Sequence, residues 1–127
     1  MTRREEAARL GRMGEQLVRQ ALERRGVTIL AQNWHCPYGE LDLIAATDTE
    51  IRFIEVKTRR SAAFMEAREA VDAPKQRKLV LSAQCWLMEH PGEQRQPVFD
   101  VAEVYVQGER HRIRYYANAF GEWDGEM

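Results

Sequence analysis

Two short stretches, GELDLI at 39–44 and FIEVKTR at 53–59, carry charged side chains inside otherwise apolar runs. Asp42 lies between Leu41 and Leu43, and Glu55 between Ile54 and Val56. A carboxylate buried without a partner is costly, so such a residue has a counter-charge, a cation or a chemical task. Strand side chains alternate with period two. That rule puts Glu40, Asp42 and Ile44 on one face of the first run, with Leu41, Leu43 and Ala45 opposite. In the second it puts Ile51, Phe53, Glu55 and Lys57 on one face, with Arg52, Ile54, Val56 and Thr58 opposite. A turn centred between Asp48 and Thr49 sets residue 42 against 55 and residue 40 against 57. Opposed residues share a face, with Cβ atoms roughly 4.5–5.5 Å apart. Two carboxylates at that separation repel, and a divalent cation between them removes the conflict. Mg²⁺ suits the pair because it takes carboxylate oxygens and keeps waters that can meet a phosphate or attack it. Lys57, on the same face, adds a positive charge that could orient or deprotonate a water, or neutralise charge on a phosphoryl oxygen. The plainer alternative is a Glu55–Lys57 charge pair on a solvated strand face. Ile44, Ile51 and Phe53 on that face weigh against it.

These side chains need a scaffold, and the rest of the chain supplies one. Between Arg3 and Arg25, small or apolar residues recur at Ala7, Leu10, Gly14, Leu17, Val18, Ala21 and Leu22, the spacing of an amphipathic helix closed by Gly26. Val27 to Trp34 reads as a strand, and PYG at 37–39 punctuates it before the acidic stretches. The segment TRRSAAFMEAREAV has no clear period and reads as a loop, with or without a short helical turn. Asp72 offers an N-cap with Pro74 in the first turn, and Leu79, Val80, Ala83, Trp86 and Leu87 mark a second helix ending at Pro91-Gly92. PVFDVAEVYV and HRIRYYA form a hairpin turning near Gln107-Gly108, and the tail FGEWDGEM is expected to fray. One domain over 1–127 is expected: a first helix at 1–26, strands at 27–60, a second helix at 72–90 and a hairpin at 97–117. The class is α/β, helices on a sheet.

Composition bounds the possible functions. With 127 residues, 44% hydrophobic and 31% charged, the chain can build an ordinary core without disulfides or structural metals. A net charge of -1 lacks the overall basic signature of many nucleic-acid binders, so such binding must rest on local patches. Two exist, Lys57-Thr58-Arg59-Arg60 and Lys75-Gln76-Arg77-Lys78, which could line a groove and neutralise phosphates beside the carboxylates. Cys36 and Cys85 stand far apart in no CxxC pair and read as free thiols. With no apolar leader and no membrane-length apolar run, the expectation is a cytoplasmic protein with no membrane partner. His35 beside Cys36 has no second ligand pair at zinc spacing, which excludes a zinc site of about four ligands. There is no Gly-rich phosphate loop and no Ser/His nucleophile pattern, so metal-assisted hydrolysis is the chemistry best supported.

G-E-L-D-L-I followed by F-I-E-V-K-T-R resembles the central motif of the PD-(D/E)XK nuclease superfamily, an Asp ahead of an E-x-K strand. More narrowly, the chain resembles the YraN family of small bacterial endonuclease-like proteins. The match runs through RMGEQLVRQALERRG, the acidic motif, DAPKQRKLVLSAQCWL, FDVAEV and NAF. The resemblance implies a restriction-endonuclease-like αβββαβ core with a mixed central sheet flanked by helices. It implies that Asp42 and Glu55 bind Mg²⁺ or Mn²⁺, that Lys57 is the catalytic lysine, and that Glu15 is the helix acid that assists. Gly11, Glu15, Val18 and Leu22 share a helical stripe, which lets Glu15 lean over a sheet. Lys75 and Gln76 match the region where relatives carry a polar or basic residue near the phosphate, and Arg59 and Lys78 come from the basic clusters. The implied substrate is DNA, in repair, recombination or the processing of branched forms. Two positions depart from the family pattern: His35 replaces an arginine, and Met65 replaces a glycine after Phe64. The rival readings are a nucleic-acid-binding module without turnover, and an interaction domain that forms a homodimer along the hairpin's edge.

Overall fold

The first helix begins where the sequence can close its free N–H groups. Thr2 Oγ1 accepts the Glu5 N–H at 3.1 Å, and Glu5 Oε1 accepts the Thr2 N–H at 3.1 Å, a reciprocal cap. The helix, α1, runs Arg3–Arg24. Gly26 ends it at φ +81, a conformation that suits glycine, so that the Val27 N–H returns to the Leu22 carbonyl at 3.1 Å. In the computed structural model, which describes residues 1–60 and 72–120, there follow β1 (Thr28–Cys36), β2 (Gly39–Ala46), β3 (Glu50–Arg59), α2 (Ala73–Met88), β4 (Gln96–Gln107) and β5 (Arg110–Phe120). Asp72 caps α2 by accepting the Lys75 N–H at 3.0 Å.

The strands form one sheet in the order β1-β2-β3-β4-β5. All neighbours are antiparallel except β3 and β4, which are parallel and need the crossover that contains α2. The result is a five-stranded mixed sheet flanked by helices, the architecture of the expected α/β class.

Each helix covers its own face. Val18 and Leu22 of α1 pack on Leu43, Ala45, Ile54, Val56, Ala102 and Val104. Leu79, Ala83 and Trp86 of α2 pack on Leu41, Ile44, Ile51, Phe53, Phe99 and Val101. Phe53 meets the Trp86 ring edge-on at 6.1 Å between centroids and stacks on Phe99 at 5.6 Å. Between Ile44 and Ala46, and along β3, the expected alternation holds. Leu41 corrects it: strict alternation groups it with Leu43, yet it belongs to the layer under α2. The regular β2–β3 ladder spans only Leu43/Ile54 to Ala46/Ile51, and period two does not carry past its end.

Observed element ends differ from the expected ones by small amounts. β1 continues to Cys36 and β5 to Phe120, while α2 stops at Met88. Thr58 and Arg59, expected to open a loop, are the last residues of β3. The rest of that loop, 61–71, including Met65, and the tail from 121 lie outside the described residues.

β4 contributes two fully buried acids. Asp100 takes Arg52 Nη1 at 2.8 Å, the Asn118 N–H at 2.8 Å and the Tyr115 hydroxyl, which ties β3, β4 and β5 together. Glu103 takes Arg59 Nε at 3.4 Å, and its other oxygen has no partner among the described residues.

α1 sits close to the sheet because Gly14 has no side chain. A Cβ there would stand 1.8 Å from Thr58 Oγ1, whereas one at Gly11 would meet nothing within 4 Å. The two helical glycines therefore respond oppositely to alanine. Gly11→Ala should stabilise by about 0.5–1 kcal/mol through helix propensity. Gly14→Ala should destabilise, because its propensity gain cannot offset a collision between packed elements. Urea denaturation of both variants checks this, and equal shifts would refute the close approach.

Candidate active site

The β2–β3 ladder runs in the register that sets residue 42 across from 55. Just past its end, Asp42 Oδ2 accepts the Val56 N–H at 2.8 Å. Glu55 is buried, and its Oε1 lies 3.4 Å from Lys57 Nζ and 3.3 Å from Lys75 Nζ. One lysine comes from β3 and the other from the first turn of α2, so two elements distant in sequence hold a single carboxylate oxygen.

Asp42 is the less compensated acid. Burial, then the charge of Glu55, pushes its carboxyl up to about 7, with Glu15 and Glu40 adding to the rise against the Val56 N–H. Burial is also the main reason the Glu15 carboxyl is raised. Hydrogen bonds with the Asn33 and Gln32 side chains oppose that rise, while Glu40 and Glu55 add to it. Glu15 Oε1 is buried with no hydrogen-bond partner among the described residues. Burial pulls the Lys75 ammonium down, but Glu55 outweighs it and Asp42 contributes, leaving Lys75 raised and firmly charged.

Asn33 belongs to this geometry. It stands between the Gln32/Leu43 and Trp34/Leu41 pairs, hence across from Asp42, at φ +52. Asparagine tolerates that left-handed conformation better than most residues.

A cavity of about 190 Å³ opens over these groups, lined by Tyr38, Glu40, Asp42, Glu55, Lys75, Lys78 and Ser82 among others. The expected residues thus divide. Asp42, Glu55, Lys57 and Lys75 are together, Lys78 lines the same cavity, and Glu15 approaches near enough to shift with the others. Gln76 is half-buried in the turn that carries Lys75. Arg59 shares the face of Lys57 but turns onto buried Glu103. His35 is mostly exposed, 3.8 Å from Glu40 Oε1.

Among the described residues no three His, Cys, Asp or Glu side chains converge in a metal-holding cluster. The contacts explain why: Asp42 Oδ2 faces the Val56 N–H, and Glu55 Oε1 faces two lysines. Sequence reasoning missed the Lys75–Glu55 contact and the burial of Glu103. Alternation along PVFDVAEVYV, which puts Glu103 among Phe99 and Val101, was the available signal for the second.

A mixed five-stranded sheet with acids on its central hairpin and a helix on each face is the arrangement of a restriction-endonuclease-like fold. Residues 14–104 match the uncharacterised protein family UPF0102. The chain is 41% identical over 114 residues to a UPF0102 protein of Caldanaerobacter subterraneus subsp. tengcongensis, covering 87% of this chain and 93% of that one. It is 44% identical over 115 residues to one of Thermosynechococcus vestitus, with the same coverage, and 42% identical over 106 residues to one of Mycolicibacterium vanbaalenii, covering 84% and 88%. The chain belongs to the UPF0102 family, which is the YraN family and a member of the PD-(D/E)XK-like nuclease superfamily.

The raised Asp42 carboxyl makes stability depend on pH. Its folded value lies above the ordinary one, so its protonation favours the folded state. That contribution is full below about pH 4 and is lost as pH rises through about 7. Asp42→Asn keeps an oxygen for the Val56 N–H and removes the titration. In chelator, the variant should gain on wild type as pH rises from about 4 to about 7, by on the order of 1–3 kcal/mol in all. Thermal denaturation from mildly acidic to mildly basic pH checks this; parallel curves would refute it.

Proposed function

We propose that this protein is a metal-dependent nuclease that hydrolyses DNA phosphodiester bonds. The observation that carries the reading is the opposition of Asp42 and Glu55 on the central hairpin, with Lys57 and Lys75 both on Glu55. The donor set fits a hard cation: all three acids offer carboxylate oxygens, Asp42 holds its charge at a cost, and Glu15 Oε1 is buried without a partner among the described residues. Asp42 and Glu55 would hold Mg²⁺ or Mn²⁺, with Glu15 beside them. Such an ion polarises a phosphoryl oxygen and lowers the pKa of a water in its shell.

The chain's own groups supply the rest. Lys57 is held against Glu55, which lines the cavity, and from there its ammonium can orient the attacking water or neutralise charge gathering on phosphorus. Lys75 and Lys78 project from the first turns of α2 and can take non-bridging oxygens, while Gln76 lies in the same turn. The helix N-terminus adds its own partial positive charge. Arg59 serves the phosphate less directly, since part of its guanidinium is committed to Glu103. Much of the rate enhancement comes from positioning an in-line attack among fixed charges.

A cleavage screen with linear, nicked, flapped and branched DNA in Mg²⁺ and Mn²⁺ tests the reading. Wild type should cut at least one form. Asp42→Asn, Glu55→Gln and Lys57→Ala should each lose about 10²-fold or more while remaining folded by circular dichroism. DNA binding without cleavage in either metal would favour a binding module. Undiminished cutting by Asp42→Asn would overturn the site.

A further inference from the structure

The two cysteines, far apart in sequence, meet in space. Cys36 ends β1 and pairs with Gly39 across the turn into β2, and Gly39 faces α2: a Cβ built there would lie 3.6 Å from Ser82 Oγ. Cys85 lies three residues after Ser82 on α2, where helical geometry returns it to the same side. Each thiol is also a hydrogen-bonding neighbour in the electrostatics of the other, as that placement requires. Both are free and half-buried, so solvent reaches them.

We propose that Cys36 and Cys85 are a reversible redox pair, oxidised by a peroxide to an intramolecular disulfide that braces one wall of the cavity against the other. The Cys36 thiolate attacks one peroxide oxygen, the O–O bond breaks, and the departing oxygen takes a proton to leave as water or an alcohol. Cys36 is then a sulfenic acid. Cys85 sulfur attacks the Cys36 sulfur, the S–O bond breaks, and the hydroxyl leaves as water with the Cys85 proton. Two electrons pass from the sulfur pair to the peroxide.

The surroundings favour this order of events. Burial works to raise the Cys36 thiol, but hydrogen bonds from Ser82, the Tyr38 and Gly39 backbone and Cys85 bring it below its ordinary value. The Ser82 hydroxyl, on the helix turn before Cys85, donates to the Lys78 carbonyl at 2.8 Å. Cys85 is pushed up, by burial and then by Cys36. One sulfur is thus the readier nucleophile and its neighbour a resolving thiol.

The location gives the bond a consequence. Tyr38 and Gly39 line one side of the cavity, and Lys75, Lys78 and Ser82 line the other. Joining residue 36 to residue 85 ties these walls together and draws the β1–β2 turn toward α2. The cross-link stands on its own geometry; its effect on cleavage rests on the nuclease reading.

Wild type, Cys36→Ser and Cys85→Ser, each folded and at low protein concentration, are treated with hydrogen peroxide and measured by intact mass and thiol titration. Wild type should lose two hydrogens and both titratable thiols, with dithiothreitol restoring them, and its melting temperature should rise on oxidation. Each serine variant should form no internal cross-link and show no such rise. Two thiols still titratable in treated wild type, or only disulfides between molecules, would overturn the pair. Where the DNA screen finds cleavage, oxidation should slow wild type and spare Cys85→Ser. Equal slowing of both would overturn the brace while leaving the nuclease reading intact.

Discussion

The Val56 N–H has a carboxylate for its acceptor, and the central hairpin is organised around that bond. Through Leu43 and Ile54 the two strands pair in the ordinary way, and then the Asp42 side chain takes the next donor. Three results follow. The carboxylate is held against β3, where Glu55 lies across from it. The backbone amide is satisfied even though the ladder has ended, which spares the cost of an orphaned donor. Leu41 leaves the alternation of β2 and joins the layer under α2, next to the helix that brings Lys75. A hydrogen bond of this charge-assisted type favours the ionised acid, while burial opposes it. Their conflict makes Asp42 responsive to protons, and in principle to cations.

The buried acids of this sheet are neutralised in two different ways. Asp100 meets an arginine, a tyrosine hydroxyl and a backbone N–H, a set that satisfies both oxygens and binds three strands. Glu103 likewise meets an arginine, Arg59. Glu55 meets two lysines. Each arginine gives its acid one nitrogen of a planar, preorganised guanidinium, whereas an ammonium on a flexible stem is a point charge that can turn to a new anion at little cost. The arginine pairs therefore read as architecture. On the nuclease reading, the lysine pair is a set of charges that can be redirected to a phosphate.

The register of the central hairpin was legible because a short turn and a period of two leave few alternatives. The helices were legible from caps and spacing. What escaped depended on contacts between elements far apart in sequence. Gly14 reads as one small residue in a helical stripe until Thr58 is seen beneath it. Cys36 and Cys85 read as isolated thiols because spacing motifs detect only near neighbours, whereas here the packing of α2 against the end of β1 joins them. Arg59 reads from the sequence as a nucleic-acid contact in a basic cluster; its contact with Glu103 depends on β4 running parallel beside β3. Leu41 shows the limit of alternation, which assumes a ladder that continues.

On the nuclease reading, proton and cation compete for the same oxygens. An acid that holds its proton up to about pH 7 must release it before it can ligate a metal, so binding there is linked to proton release. Glu55 differs, since its charge is already balanced by Lys57 and Lys75, and an arriving cation would share it with them. The ammonium groups would then be partly freed, at the place where a phosphate's negative charge is needed next to them. Loading the site and preparing the lysines for substrate are in this arrangement one electrostatic change, and it depends on Asp42 and Glu55 having been set opposite each other by the hairpin.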